Sequence, residues 1–404
     1  MKKTLIALAA VAAVGGASAQ VSIYGTVDAA VTQYSSEGNS KTGLGNSQLG
    51  SSKLGFSGVE DLGGGMNAIF KLEGGLANDS GVGKAANTSN QAANGGAGSL
   101  TSVGGTQGLV FGRYAYVGAN GGFGEVRLGR DYTNTFLFTV NTYDVFGTNG
   151  PADSSALTLN LAARNSVATS GNASNMVGYA SPSMGGLRVR LQSFFGENTS
   201  NASNAGDGDG YSAQVGYAAG PLSASVGQQQ TKGTAKAATS TTANIGTGAV
   251  TTATLAQTGN YTQTAVGVSY DFGMAKVMFL STREELVGAA TSGSLTATST
   301  NVANMIGLNV PVGAMNYKLS YASASQNTGV AGAKDNTGTL TGLGVDYALS
   351  KRTKLYGTYS MVTNDGGKAY SAAGVNGAAG TTVAGSTPAN PSSTGLALGV
   401  FHTF

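Results

Sequence analysis

From Val21 the chain alternates. Val21, Ile23, Gly25, Val27, Ala29 and Val31 interleave with Ser22, Tyr24, Thr26, Asp28, Ala30 and Thr32, and a side-chain period of two predicts a strand with one apolar face. The pattern returns at Leu187, Val189 and Leu191, set between Arg188, Arg190 and Gln192, so here the second face carries guanidinium groups. A soluble sandwich alternates in the same way, burying one face and wetting the other. The pattern alone leaves sandwich and barrel open.

The count and spacing of the segments narrow the choice. Strands are predicted near 21–34, 53–59, 66–76, 109–118, 124–130, 175–180, 187–196, 210–217, 222–229, 260–270, 274–282, 302–310, 315–322, 339–347, 354–362 and 394–404, an even number, sixteen. Short links at 60–65, 119–123, 181–186, 220–221, 271–273, 311–313 and 349–352 alternate with eight long stretches rich in Gly, Ser, Thr, Asn and Ala. Tight turns on one rim and long loops on the other are the signature of an outer-membrane barrel. The tracts 77–107, 230–259 and 364–393 then read as external loops between strand partners rather than as linkers, and no second domain is expected.

Composition changes this picture in one respect. Charged residues make up 10% of the 404 positions and Gly supplies 65, against roughly a quarter charged in ordinary soluble domains. Yet no run of 18 apolar residues occurs, which excludes membrane-spanning helices. A hydrocarbon core requires every backbone polar group to be paired, and only helices and closed barrels achieve that. The barrel is left, and the scarcity of charge acquires a cause: a cation at mid-depth on the lipid face costs about 2–4 kcal/mol. Disorder is excluded by 41% hydrophobic residues, a net charge of +3 and only 6 prolines.

Lys2 and Lys3 precede an apolar stretch from Leu5 to Val14 and the small residues Ala17-Ser18-Ala19, which together read as a secretory signal over 1–19, cleaved before Gln20. The barrel is then expected over 20–404. Loss of the two lysines lowers the formal charge from +3 to +1, and so neutral a chain offers no basic face to nucleic acid.

Candidate chemistry follows from strand parity. Lys53, Lys71, Arg113 and Arg127 are expected on the lumen face of four consecutive strands, with Leu54, Phe56, Phe70, Leu72, Tyr114, Tyr116, Val126 and Leu128 facing outward. The first three lie about six or seven residues from a tight turn, which at roughly 3.3 Å per residue is near mid-height. Arg188 and Arg190 continue this basic wall lower down. The longest loop, about 131–174, carries Asp131, Tyr143, Asp144, Phe146, Asp153 and Arg164.

Other motifs fail on context. Asp271-Phe272-Gly273 lacks the companion loops of a kinase and reads as a turn; Asp207-Gly208-Asp209-Gly210 lacks the spaced ligands and closing Glu of a calcium loop; Gly118–Gly124 has no βαβ unit around it. With no Cys and one His, there is no disulfide, thiol nucleophile or zinc site, and His402 sits in the apolar row Leu396, Leu398, Val400, His402, Phe404. No catalytic constellation, cofactor or metal is expected.

Several segments resemble the general trimeric porins of Gram-negative outer membranes, most closely the β-proteobacterial branch. These are Val21–Ala29, Ser52–Gly65, Phe123–Asp131, Tyr179–Pro182, Gly220–Ser223, Ser269–Gly273 with Ala275–Val277, and Leu349–Thr353. The ordered series carries the resemblance. Lys53 stands where the branch usually has arginine, and Gly399-Val400-Phe401-His402-Thr403-Phe404 departs from its common ending while keeping the terminal Phe404, which looks like the assembly signal of such barrels.

The resemblance implies a 16-stranded antiparallel barrel, three copies per assembly, with a third loop folded inward to narrow the pore. Asp144 and its neighbours are then expected to oppose the basic wall. The expected function is a water-filled pore for passive diffusion of small hydrophilic solutes and ions, preferring anions through charge-ring selectivity. The expected partners are two identical subunits, outer-membrane lipid and lipopolysaccharide. A substrate-specific channel and a structural barrel with adhesive loops are the alternatives.

Overall fold

The computed structural model describes residues 20–36, 39–83, 90, 110–160, 167, 169–202, 204–233, 237–243, 250–256, 259–287, 298–327, 334–366, 370–372 and 392–404. Their strands in chain order are β1 (Gln20–Ser36), β2 (Asn39–Asn46), β3 (Lys53–Gly63), β4 (Met66–Ala77), β5 (Val82–Gly83), β6 (Tyr114–Gly121), β7 (Gly124–Tyr132), β8 (Asn172–Ala180), β9 (Leu187–Phe194), β10 (Gly210–Ala219), β11 (Leu222–Thr231), β12 (Ala237–Ala243), β13 (Val250–Ala256), β14 (Tyr261–Asp271), β15 (Lys276–Val287), β16 (Thr298–Val312), β17 (Met315–Asn327), β18 (Asn336–Ala348), β19 (Thr353–Asp365) and β20 (Ser393–Thr403). The predicted signal, 1–19, lies outside the described residues.

Pairing is antiparallel between successive strands, and β1 closes the ring against β20 from Thr26↔Thr403 to Ser36↔Ser393. With β2, β5 and the separate β12–β13 ribbon set aside, sixteen strands complete the barrel. β2 and β3 act as one crossing. The first half of β1, Gln20–Thr26, pairs with β3, and the second half, Ala29–Ser36, pairs with β2. Residues 39–46, expected in a long loop, therefore extend the first hairpin; their sequence NSKTGLGN carries too few apolar side chains to show the alternation. The same holds for the Thr- and Ala-rich β12 and β13 within the expected loop 230–259.

Between β2 and β3 the chain turns inward at 47–52, pinned by Asp28. One carboxylate oxygen accepts the backbone N–H groups of Leu49 (2.6 Å) and Gly50 (2.7 Å), the other the Tyr356 hydroxyl. At the opposite rim, Gly63, Gly64 and Gly65 all have positive φ, which only glycine adopts without strain; this is why so short a turn connects β3 to β4.

The wall is turned inside out relative to a soluble protein. Ile23, Val117, Leu128, Leu191, Val226, Ile306, Leu319, Leu343, Leu398 and Val400 are exposed, while Gln214, Gln229, Gln263, Glu284, Asn301 and Ser320 are buried. An apolar belt around a polar interior is what lipid outside and water inside demand.

The apolar core lies within the barrel, beneath the loop joining β7 to β8. A π-type helical turn, Phe136–Asn141, and a short helix, Ser155–Thr158, with the residues just after each, place Phe136, Val140, Tyr143, Leu157 and Leu159 against Ala265, Leu280, Ala303, Met305, Ala322 and Leu340. Burial of each large apolar side chain contributes about 1.5–3 kcal/mol, enough to hold a segment that has no strand partner.

Candidate functional site

The inward loop is seated by matched small and large residues. Thr135 and Ser212 share a hydroxyl contact of 3.1 Å, Thr139 and Ser225 one of 2.8 Å, and Tyr143 and Ser223 one of 2.7 Å. Positions 135, 139 and 143 recur on one side of the helical turn. The wall beneath them is notched by glycine: a Cβ on Gly267 would lie 2.1 Å from the Tyr143 ring, and one on Gly227 3.1 Å from Thr135. Further along, Phe146 fills the hollows at Gly342 and Gly344.

Opposite the loop stands the basic wall. Lys53 pairs with Gly75, and Lys71 with Ser57 and Tyr116, so β3, β4 and β6 present these side chains on the lumen face. Their centre is Glu73, fully buried and missed in the sequence. It accepts Arg113 Nε at 2.6 Å and the Tyr24 hydroxyl at 2.9 Å, with Lys71 Nζ at 3.6 Å and Lys53 Nζ at 3.8 Å. The signal was available: Glu73 follows Lys71 by two residues and so shares its face.

Tyr114 and Tyr116 correct the sequence-based parity. They face the lumen, where Lys71 Nζ lies 3.8 Å from the Tyr114 ring centre and the Arg127 guanidinium 4.7 Å from that of Tyr116. Val117 takes the outward face instead. Arg113 reaches the lumen by another route: it precedes the first residue of β6, in a bend whose N–H bonds the Glu73 carbonyl, so strand alternation does not govern its direction. Tyr132, stacked on Phe136 at 5.7 Å and 5.3 Å from the Arg113 guanidinium, bridges wall and loop.

Asp144 is also corrected. It does not oppose the wall. Its carboxylate accepts the N–H groups of Phe146 (2.7 Å) and Ser154 (3.0 Å) and the Ser154 hydroxyl, all within the loop. Asp153 accepts the N–H (2.7 Å) and hydroxyl (2.5 Å) of Ser155. Burial raises the pKa of both, and the Asp144 charge helps push Asp153 up to about 7. A loop without a ladder leaves backbone donors unpaired, and these carboxylates satisfy them.

Between wall and loop lies a cavity of about 430 Å³ lined by Lys53, Lys71, Glu73, Arg113 and Arg130 on one side and Leu137, Asn141, Thr148, Asn149 and Leu159 on the other. Four cations and one carboxylate face neutral loop residues. Arg127 is lumenal but engaged by Glu125 and by Asp131 at 2.6 Å, so it adds no net positive charge. Arg188 and Arg190 lie elsewhere, lining a second cavity next to the short turns. Arg164 lies outside the described residues. Phe404 packs its ring over Gly25, and the two exchange backbone hydrogen bonds of 3.2 and 3.1 Å. Among the described residues no group of three or more His, Cys, Asp or Glu is arranged to hold a metal.

A family model described as Gram-negative porin matches residues 4–367. The chain is 33% identical, over the full length of both proteins, to outer membrane porin protein 32 of Delftia acidovorans. It is 36% identical over 137 residues, about a third of each chain, to major outer membrane protein P.IB of Neisseria meningitidis. Among solved structures it resembles an anion-selective porin from Comamonas acidovorans, with 29% identity, a TM-score of 0.73 and coverage of 96% of this chain and 100% of that one. OmpT of Vibrio cholerae, in its loop L8 deletion form, shares the fold at 17% identity and a TM-score of 0.63, covering 96% and 99%.

Proposed function

The chain belongs to the Gram-negative porin family and is a multi-pass outer-membrane β-barrel pore for passive diffusion; we propose that this pore prefers anions, selecting them between the Lys53–Lys71–Arg113 wall and the neutral face of the inward loop. The observation that carries this reading is the charge imbalance of the cavity. Its cations outnumber its one carboxylate, while the acids of the loop are turned into the loop itself. In a narrow, water-filled constriction a ring of one sign raises the local concentration of counter-ions.

The solute passes without covalent chemistry. Porins of this fold are non-enzymatic channels, and we read this chain in the same way, with small hydrophilic and anionic solutes crossing without cofactor or energy source. The anion selectivity named for the Comamonas porin, its closeness in structure and the cation excess here point in one direction. The exposed apolar belt fits outer-membrane lipid, and we assign lipopolysaccharide as its outer-leaflet neighbour. We also propose a homotrimer, a reading supported by resemblance, including to a V. cholerae OmpT described in trimer form, and a cleaved export signal over 1–19.

Reversal potentials in planar bilayers under a salt gradient test the selectivity. Arg113→Ala combined with Lys53→Ala is expected to lower the anion-to-cation permeability ratio. An unchanged ratio in the folded double variant refutes the assignment. Liposome swelling with sugars of graded size tests the pore itself: entry falling with size and without saturation is expected, whereas saturation by one solute indicates a specific channel.

A further inference from the structure

We propose that the cavity beneath the inward loop, between Arg188, Arg190 and Phe138, is a second anion subsite that recognises phosphate-type dianions. The inference rests on the pore reading above and concerns a different place in the lumen. The cavity, about 340 Å³, is roofed by Phe138, Thr142 and Tyr143 of the loop and walled by β9, β10 and β11 near the turn 181–186. Its positive charge comes from two guanidinium groups two residues apart on one strand face.

Both arginines are positioned but retain donors. The Arg190 guanidinium lies 3.7 Å from the Phe138 ring centre and donates through Nη1 to Gln214 Oε1 at 2.7 Å. Gln214 is itself fixed by donation to Ser225 Oγ at 2.7 Å. Arg188 donates through Nε to the Ser181 carbonyl oxygen at 3.1 Å. A guanidinium has five N–H donors, so most of each fork is left for a ligand. Neither arginine forms an ion pair among the described residues. Arg127, by contrast, pairs with both Glu125 and Asp131, and Glu125 attracts Arg190 only from beyond ion-pair distance.

Two adjacent like charges repel, and one divalent oxyanion relieves that repulsion at both groups. Guanidinium forks match the oxygen geometry of a phosphoryl group with paired hydrogen bonds. The Tyr143–Ser223 pair at the same cavity uses one of its two O–H donors in its own 2.7 Å contact, which leaves the other as a neutral partner for the ligand. The volume leaves room beside the phosphoryl group for a small organic substituent, so both inorganic phosphate and a small phosphomonoester fit this chemistry.

The test uses the purified full-length protein in planar bilayers, with chloride carrying the current and phosphate added from the short-turn side. The wild type is expected to show saturable reduction of its current. In Arg188→Gln/Arg190→Gln the half-blocking concentration is expected to rise at least tenfold, and in Arg190→Lys, which keeps the charge but loses the fork, about threefold. Comparison with glycerol phosphate separates the sources: equal half-blocking concentrations assign the phosphoryl group alone, and tighter block by the ester assigns an organic phosphate. The subsite is overturned if phosphate reduces the current without saturation, if acetate blocks at the same concentration, or if the double variant is blocked like the wild type. Loss of block in Lys53→Gln/Arg113→Gln, with block retained in the double variant, overturns it in favour of the upper constriction. Absence of any current in the folded wild type refutes the pore reading instead, and this subsite with it.

Discussion

Glu73→Gln gives the most direct measure of how the constriction selects. Glu73 is the sole carboxylate among the described residues lining the upper cavity, facing Lys53, Lys71, Arg113 and Arg130, so its removal raises the formal excess there from three positive charges to four. For a monovalent ion about 5 Å away in a water-like medium, one charge is worth roughly 0.8 kcal/mol, about a fourfold change in occupancy. Anions gain that factor and cations lose it. The permeability ratio is therefore expected to rise about sixteenfold at low salt and roughly fourfold near 0.15 M, where screening acts over about 8 Å. The substitution also leaves three cations without their shared partner, a loss that in buried clusters costs about 3–5 kcal/mol. Folding is accordingly checked first, by the heat-dependent gel mobility of the barrel. The assay is the reversal potential across a tenfold salt gradient. A folded Glu73→Gln pore whose ratio is unchanged, or lower, refutes the view that net charge at this cavity sets selectivity.

Gly267→Val is expected to lower single-channel conductance. Even the first carbon of the new side chain would lie 2.1 Å from the Tyr143 ring, and overpacking of this kind costs about 1–3 kcal/mol; the loop relieves it by moving off the wall into the lumen. Conductance equal to the wild type refutes that seating. The Asp144–Asp153 pair predicts a pH dependence of stability. With Asp153 pushed up to about 7 by burial and its acidic neighbour, the native protein holds a proton that the unfolded chain releases near pH 4. The pair's contribution to stability is thus full below about pH 4 and is lost as pH rises toward 7. Denaturant midpoints in detergent should be higher at pH 5 than at pH 8, and Asp153→Asn should flatten the difference; a variant that keeps the full slope refutes the assignment.

Period-two alternation made the barrel legible, because lipid outside and water inside impose opposite polarity on successive residues. Lys53, Lys71, Arg188 and Arg190 lie within regular strands, where that parity applies. It fails at Tyr114 and Tyr116, because Arg113 precedes β6 and follows no strand alternation that could set their parity. Glu73 lies two residues after Lys71 and shares its face by the same parity. Asp144 was beyond sequence parity altogether. Its partners Phe146 and Ser154 depend on how an irregular loop closes on itself, and no periodicity encodes that.

The loop acids connect rigidity to selectivity. A segment crossing the lumen cannot borrow hydrogen bonds from the sheet, so its backbone donors need acceptors of their own, and unpaired ones would each cost about 1–3 kcal/mol. Asp144 and Asp153 supply those acceptors at Phe146, Ser154 and Ser155. A carboxylate committed in this way cannot also present its oxygens to the passing solute. The side chains that let the loop stand without strand partners are therefore the ones whose negative charge is withdrawn from the constriction. What remains facing the cations is Asn141, Thr148, Asn149, Leu137 and Leu159, a neutral surface. Anion preference thus follows from two placements together: cations gathered on regular strands, and acids consumed by the fold of the loop.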